Sequence, residues 1–487
     1  MTAVVRDYGL VGEDSRLAID RGLVEAEWFR PPIDPERLTA LQVRTNARAA
    51  RDTILWLGLL GVFGYLAFRA LGSWWAAPAF MAYGALYGGA GDSRWHECGH
   101  GTAFRTKWLN DVVYYIASFM LLRQPTLWRW SHVRHHTDTI VVGRDPEIMF
   151  PRPSNLPTVL GVYLPVVLLP KAVWRTIKHA AGRIDDDARD FIPTDELPKL
   201  KWESRAYIAV LAGTAVWCVA IGSIVPALYV GLPTFYGAWL MVFFGALQHA
   251  GLREDVLDHR YNSRTVYMNP ILRFLYSNMN YHVEHHIFPT VPYYALPALH
   301  QEIKQYLAPA DSSTISAYRR IFATLRRQWR DPTYDDPRPD VPEVSSPERT
   351  YVNTGLTAWA GDVHDGMIDL GPAEGLAPGS ARRVDRGDAT YALYRLDPED
   401  LDPEDSGEGD PSSEFVLSDG LCTHGQAHLA EGAVLDCMVE CPKHNGCFDL
   451  RTGEALRYPA TEPITLYDVT LRNGRVVSRL APRDPVT

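Results

Sequence analysis

Four long apolar, nearly uncharged stretches, set as two back-to-back pairs, constrain this chain more than any other feature. Residues Ile54–Phe68 and Trp74–Ala90 are separated by a short turn that holds Arg69, and Tyr207–Val230 and Thr234–Leu247 repeat the pattern around a Gly-Leu-Pro turn. A helix that crosses a bilayer needs ~20 apolar residues, so the pattern predicts two membrane hairpins and four transmembrane helices. A large soluble helical core is the competing explanation. Basic residues lie outside the hairpins: Arg44, Arg48 and Arg51 precede the first, Arg94, Arg105 and Lys107 follow it, and Lys199, Lys201 and Arg205 precede the second. Under the positive-inside rule, both termini and the segment between the hairpins are expected on the cytoplasmic side of a cell inner or plasma membrane, in a multi-pass arrangement.

Composition narrows the class further. A formal net charge of -10 provides no concentrated basic face, so no nucleic-acid partner is expected. Six cysteines in 487 residues are too few for a secreted disulfide framework. The opening MTAVVRDYGLVGEDSRLAIDRG scatters charges where a signal peptide would need an apolar run.

Nine of the 16 histidines fall beside the apolar pairs. H-E-C-G-H supplies His96 and His100, S-H-V-R-H-H supplies His132, His135 and His136, and H-V-E-H-H supplies His282, His285 and His286. His249 closes the second pair. Spacings of three and four put each group on one helical face, and metal binding is the expected role. Neutral imidazole suits zinc, iron, copper and nickel alike. Nine ligands are too many for one ion; two ions with four or five imidazoles each keep positions open for an exogenous ligand, the condition for catalysis. Glu97, Asp138, Asp145, Glu284, Asn278 and Asn280 are candidates to hold the second ring nitrogen of these histidines, with a solvated surface position as the alternative for each. Cys98 is expected to point away from the ligands. His179, His259, His300 and His364 are expected to be ordinary surface residues, and Trp128, Trp130, Tyr293 and Tyr294 to fit a membrane-interface belt.

Beyond Asp331 the chain becomes Pro-rich and polar, as an interdomain linker does. Short alternating segments such as ATYALYRL, EFVLSDG and ITLYDVTLRNGRVVSRL then predict a small all-β domain. The acidic near-repeat LDPEDLDPED is expected to be a solvated loop. C-T-H, with Cys422 and His424, and C-P-K-H, with Cys441 and His444, could hold either zinc or a Rieske 2Fe-2S cluster. In the cluster, the histidines would bind one iron and the cysteines the other.

CTHGQAHLAEG followed by ECPKHNGCFDLRTGEAL resembles the Rieske ferredoxins that serve bacterial oxygenases. The resemblance implies a 2Fe-2S cluster on Cys422, His424, Cys441 and His444, with Cys437 and Cys447 left as reduced thiols. Residues from Pro31 to Leu325 resemble the integral-membrane fatty acid desaturase and hydroxylase superfamily, whose three histidine boxes match His96, His100; His132, His135, His136; and His282, His285, His286. His249 matches that superfamily's additional ligand. QHAGLREDVLDHRYNSRTVYMNP and FPTVPYYALPALH are similar to its rhizopine-oxygenase-like branch. The resemblance implies a di-iron centre and a cytoplasmic active site.

The expected architecture is therefore an all-α integral membrane domain, with four transmembrane helices plus cytoplasmic helices carrying the histidine boxes, and a C-terminal all-β Rieske domain. Its expected divisions are a polar segment 1–30, the membrane domain 31–330, the linker 331–360 and the Rieske domain 361–487. A one-electron carrier joined to a multi-histidine site fits a metal that is reduced in each turnover, which zinc cannot be. The expected activity is that of a non-haem di-iron monooxygenase. It would use two iron ions, one Rieske cluster and O2 to oxidise an unactivated C–H bond by hydroxylation or demethylation. Desaturation of a fatty acyl or lipid chain at the same site is the alternative, and a non-enzymatic membrane metal or redox sensor is the minor one. The expected substrate is lipid-like or a small alkyl compound. The chain has no G-x-G-x-x-G after a strand, so a separate NAD(P)H flavoprotein reductase is the expected electron source.

Overall fold

The computed structural model describes residues 6–24, 28–163, 168–338, 340–343, 363–364, 367–387, 389–398, 401, 411–424, 427–435, 437–443, 446–457 and 460–483. The chain forms two compact units. One comprises Met1–Phe29, Arg44–Ile287 and Pro292–Pro342; the other comprises Arg30–Val43, Phe288–Val291 and Glu343–Thr487.

The first unit is helical. Its helix Asn46–Arg69 packs against Ala76–Gly84, which runs through a π-helical turn, Ala85–Ala90, into Gly91–His100. Trp56, Tyr114 and Ala117 centre the core around these helices. Protein does not cover the other side of Asn46–Arg69, where Ile54, Val62, Tyr65 and Phe68 are each more than half exposed. Among the described residues one stretch, Arg37–Arg69, is long and apolar enough to cross a membrane, by length and composition. Helix Leu197–Ala220 likewise leaves Val216, Trp217 and Val219 exposed.

The second apolar pair folds differently from the expectation. Its first helix ends at Ala220 rather than Val230, and the chain continues as Val225–Tyr229, Pro233–Tyr236 and Ala238–His249. Gly222 and Gly231 take left-handed φ values of 60° and 90°, which end the preceding turns. Pro226 and Pro233 stand in the first turn of the next helix, where a missing N–H costs nothing. Apolarity is continuous here, but the helix is not.

Residues assigned to the polar segment and to the linker join this helical unit. Arg6 pairs with Glu254 and Asp255, and Tyr8 donates to Glu254 Oε1 (2.8 Å) while accepting from the Arg152 N–H (2.8 Å). Arg338 donates to the Arg260 carbonyl (3.1 Å).

The second unit is mostly β. A seven-stranded antiparallel sheet takes its strands in the order Val363–His364, Met367–Pro372, Arg475–Pro482, Leu466–Arg472, Phe415–Asp419, Ala389–Arg395, Ser380–Arg386. A four-stranded sheet runs Ala433–Leu435, Met438–Glu440, Cys447–Asp449, Ala455–Arg457. Leu417, Leu393 and Leu370 fill one side of the larger sheet, and Tyr394, Val439 and Phe448 build the core that includes the smaller one. Within this unit Arg30 also donates to the Pro442 carbonyl, and Gln42 donates to Thr290 Oγ1 (2.7 Å). Residues 344–360 of the expected linker, and most of the acidic near-repeat, lie outside the described residues.

Candidate metal centre

Four helices carry the nine histidines. His96 and His100 end Gly91–His100; His132, His135 and His136 lie on Pro125–Thr137; His249 ends Ala238–His249; His282, His285 and His286 belong to His282–Ile287. They form two groups. In one, His96, His100, His132, His136 and His285 bring one ring nitrogen each within 4.8 Å of one another; in the other, His135, His249, His282 and His286 do the same. Each three-histidine box feeds both groups, because positions i and i+4 serve one group and i+3 the other. The order is exchanged between the boxes: the i+3 ligand of the second, His135, joins the i, i+4 pair of the third.

The outer nitrogens fix the tautomers. His135 Nδ1 donates to Asp145 Oδ2 (2.8 Å), His132 Nδ1 to Glu147 Oε2 (3.2 Å) and His249 Nδ1 to the Asn262 carbonyl (2.7 Å). His96 Nδ1 meets Glu97 Oε1 at 3.3 Å. The Thr139 hydroxyl donates to the His135 carbonyl and so accepts from His286 Nδ1 (3.3 Å). These rings turn an Nε2 lone pair inward. His282 Nε2 then lies 2.9 Å from His249 Nε2 and 3.0 Å from His286 Nε2, and a single proton on it can serve only one of them. His100 and His132 Nε2 meet at 3.0 Å, and buried His96 Nε2 has no hydrogen-bond partner among the described residues. A cation among these lone pairs relieves the conflict, so the donor set fits metal ions. Burial, followed by neighbouring imidazoles, holds His132, His136, His249, His282, His285 and His286 well below the ordinary histidine pKa, in the neutral form that ligation needs. Burial is also the largest influence on His135 and pulls its pKa down, but Asp145 outweighs it and raises the net value.

A cavity of about 450 Å³ opens beside both groups, with His96, His132, His135, His249 and His282 in its wall. Leu121, Trp128, Phe150, Val162 and Val242 supply apolar lining.

Of the supporting residues expected from sequence, Glu97 and Asp145 touch ligands. The other four do not. Asp138 is held by Arg134 and Arg144, and Glu284 turns to His300 and to Thr265 Oγ1 (2.6 Å). Asn278 bonds Arg273 and the Tyr293 carbonyl, and Asn280 bonds the Val266 carbonyl. Glu147, Thr139 and the Asn262 carbonyl were missed; only Glu147, an acidic residue just beyond the second box, left a readable signal. Three histidines expected at the surface are buried. His259 stacks on Trp28 (ring centroids 4.2 Å apart) and lies 4.9 Å from the His286 ring, His300 pairs with Glu284, and His179 faces Asp185. The His364 side chain lies outside the described residues. Trp130 and Tyr293 are buried rather than interfacial, and Tyr293 donates to Asp52 (2.8 Å). Cys98 is buried and belongs to neither group.

In the β unit, Cys422 and Cys441 stand on two loops of the same design. The Cys422 N–H donates to the Ala427 carbonyl (2.9 Å) and the Cys441 N–H to the Gly446 carbonyl (2.6 Å), five residues on in each case. Both cysteines are buried and His424 is exposed, which fits a cluster with a sheltered thiolate end and a solvent-facing histidine end. His444 lies outside the described residues. Cys437 and Cys447 are buried and form no disulfide among the described residues.

Comparison with known proteins agrees with this division of labour. The fatty acid desaturase family model matches residues 72–318, just over half of the chain. The chain belongs to the fatty acid desaturase family. A Rieske [2Fe-2S] domain matches residues 366–468, so this desaturase-family chain is an oxidoreductase with a C-terminal Rieske domain. That domain is similar to ferredoxin CarAc of Metapseudomonas resinovorans, with 35% identity over 105 residues, 21% of this chain and 84% of the ferredoxin. It is also similar to the anthranilate 1,2-dioxygenase ferredoxin subunit of Burkholderia cepacia, with 47% identity over 62 residues, 13% of this chain and 56% of the subunit. Among solved structures, a complex of reduced oxygenase and oxidized ferredoxin in carbazole 1,9a-dioxygenase matches with 29% identity and a TM-score of 0.21, covering 25% of this chain and 98% of that one.

Proposed function

We propose that this desaturase-family chain is an O2-dependent di-iron monooxygenase. It oxidises an unactivated C–H bond with electrons relayed by its own Rieske domain. The carrying observation is the pair of inward-facing imidazole groups beside a largely apolar cavity, in a chain that also carries a one-electron carrier. We assign one iron ion to each histidine group and the 2Fe-2S cluster to Cys422, His424, Cys441 and His444. Bound iron supplies the reduction of O2 and the oxidising power to break a C–H bond. The protein's residues do the rest. Asp145, Glu147 and the Asn262 carbonyl hold the ligand rings in one tautomer and orientation. Trp128, Phe150 and Val162 keep water from the side of the cavity where the substrate chain would lie.

The apolar surfaces of Asn46–Arg69 and Leu197–Ala220 support a membrane location, with four apolar segments in the bilayer and the histidines at its cytoplasmic face. The relatives named as ferredoxin components of dioxygenase systems support an external NAD(P)H flavoprotein reductase as the electron source. Desaturation of a lipid-like chain is a second reading, favoured by the family match itself.

Untargeted mass spectrometry of cells expressing the wild type or His282→Ala, each with a Rieske reductase, tests the proposal. A product that gains one oxygen or loses a methyl group in the wild type alone identifies a hydroxylating enzyme. A product that loses two hydrogens identifies a desaturase. No difference, together with zinc in the purified helical unit, would sink both readings.

A further inference from the structure

Helix Thr314–Arg330 follows the last histidine box and contributes nothing to either histidine group. Its sequence, TISAYRRIFATLRRQWR, holds five arginines and no acidic residue, a local excess that the formal net charge of -10 conceals. One face is buried: Ala317, Ile321 and Leu325 pack with Val242, Ala246 and Leu247 of Ala238–His249. The opposite face carries Ile315, Arg319, Phe322, Arg326, Trp329 and Arg330, all exposed and spaced to form one stripe along the helix. Ile315, Phe322 and Trp329 stand two turns apart and are 65%, 50% and 52% exposed. A solvated basic face accounts for the arginines but not for this row of large apolar side chains between them.

The arginines are of two kinds. Arg320 pairs with Asp311 and Asp336, and Arg327 donates to Tyr334 Oη (2.7 Å). Arg319, Arg326 and Arg330, which belong to the apolar stripe, form no side-chain hydrogen bond or ion pair with a described residue. The packing of the helix sets its depth. Tyr318 Oη donates to the Phe243 carbonyl (2.6 Å) and Gln328 Nε2 to the Gly251 carbonyl (3.2 Å), so the helix runs beside Ala238–His249 in the same direction and ends beside the residues that follow His249. With the histidines at the cytoplasmic face of the bilayer, as proposed above, the outer stripe stands where an apolar segment leaves the membrane. Basic residues interleaved with Ile, Phe and Trp are the composition of a helix that lies in the lipid headgroups.

We propose that this outer face docks on phospholipid of net negative charge in the cytoplasmic leaflet. Ile315, Phe322 and Trp329 enter among the acyl chains, and Arg319, Arg326 and Arg330 hold lipid phosphates, their stems lying along the apolar surface. The proposal rests on the membrane location of the chain and adds to it a choice of lipid charge. An acidic protein is the competing occupant. Lipid is favoured because acyl chains accept three separate apolar side chains without a pocket shaped for each.

Quenching of tryptophan fluorescence by brominated lipid tests this on the full chain reconstituted into vesicles. Two sets share one composition, phosphatidylcholine with a minor part of phosphatidylglycerol. The bromines sit on the phosphatidylglycerol in one set and on an equal amount of phosphatidylcholine in the other. The difference between wild type and Trp329→Phe isolates Trp329, and Trp217→Phe does the same for exposed Trp217 on Leu197–Ala220. Trp329 is expected to be quenched roughly two- to fourfold more by brominated phosphatidylglycerol than by brominated phosphatidylcholine, the enrichment that one or two charge contacts give a minor lipid. Replacing Arg319, Arg326 and Arg330 together by glutamine, a good helix former, should abolish the preference and leave the unfolding midpoint in place. High salt should shrink the preference in the unaltered chain. Equal quenching of Trp329 by the two lipids, or a preference that survives both the substitutions and the salt, overturns the proposal. If Trp217 is quenched and Trp329 is not, the docking face alone is overturned and an acidic protein takes its place. If neither is quenched, the membrane location falls with it, and if Trp329 alone is quenched with the phosphatidylglycerol preference, the docking face stands while Leu197–Ala220 is no membrane segment.

Discussion

Asp145 serves three donors with two oxygens. Oδ2 accepts from His135 Nδ1 and the Ile140 N–H, both at 2.8 Å, and Oδ1 accepts from the Glu147 N–H at 2.8 Å. An amide in its place must set its NH2 against one of those N–H groups, so Asp145→Asn is not a conservative change. It is expected to lower iron affinity about 10–100-fold, measured by elemental analysis during a chelator titration. Asp138→Asn is the control: its carboxylate meets Arg134 and Arg144 and should leave iron affinity unchanged. In the β unit, buried His428 gives a pH prediction. Its Nδ1 accepts from the Ala430 N–H, so Nε2 carries the proton and donates to Thr390 Oγ1. A second proton would have to displace the Ala430 N–H from Nδ1, and burial lowers the ring's pKa to about 4 from the ordinary 6.5. The unfolded chain then binds the extra proton first as pH falls, so the contribution is complete above pH 6.5 and is lost between there and about 4. The loss is roughly 3 kcal/mol, read as a falling unfolding midpoint of the β unit across that window. His428→Asn, which can still cap the following turn, should flatten the curve. At this scale eight of the nine histidines that the structure gathers into two groups were legible because spacing put them on shared faces. The Asn262 carbonyl was not, since a backbone acceptor leaves no mark in a side-chain pattern. His259 and His300 were misplaced because each is buried by partners distant in sequence.

The two apolar pairs differ in how far their elements could be read. The first was legible because helix-forming residues run without interruption from Asn46 to Arg69, whereas in the second apolarity masked two turn signals, Gly222 and Pro226, ahead of the Gly-Leu-Pro turn at 231–233 that the sequence does show. The π-helical turn Ala85–Ala90 was not predicted either. Inserted between Ala76–Gly84 and Gly91–His100, it adds a residue to the turn and rotates the following face, which carries His96 and His100. Just before that turn the backbones meet without side chains: a Cβ on Gly237 would lie 2.0 Å from the Gly84 carbonyl oxygen and 2.8 Å from its Cα. Backbone atoms cannot swing aside as a side chain would. Gly237→Ala is therefore expected to cost about 1–3 kcal/mol and to reduce iron in both histidine groups, because His249 and the His96–His100 pair are carried by the helices that this contact joins. Gly61→Ala, where an added Cβ meets nothing within 4 Å in mid-helix, should leave iron content unchanged and should not lower the unfolding midpoint.

At the scale of the molecule, the change of texture after Asp331 separated a helical chemistry from a β one, and the two units bear out that contrast. The boundaries themselves were less legible. Contacts made by Tyr8 and Arg338 tie the polar segment and the start of the linker into the helical unit, while Arg30 and Phe288–Val291 belong with the β unit. Such packing depends on partners hundreds of residues away and has no local pattern to read. What the joined units should share is electrons, and that can be tested without separating them. Cys441 is buried in the β unit, where its N–H donates to the Gly446 carbonyl, so Cys441→Ser should remove the visible absorbance and the acid-labile sulfide of the cluster while the helical unit keeps its iron. If the Rieske domain is the donor, NAD(P)H-driven O2 uptake with a reductase falls to background in this variant, and a single turnover persists after reduction by dithionite. If uptake with the reductase continues, another carrier reaches the histidine centre directly. If dithionite also fails while iron is retained, the β unit holds the helical unit in a competent form. Only the first pattern is the one expected of a built-in electron carrier.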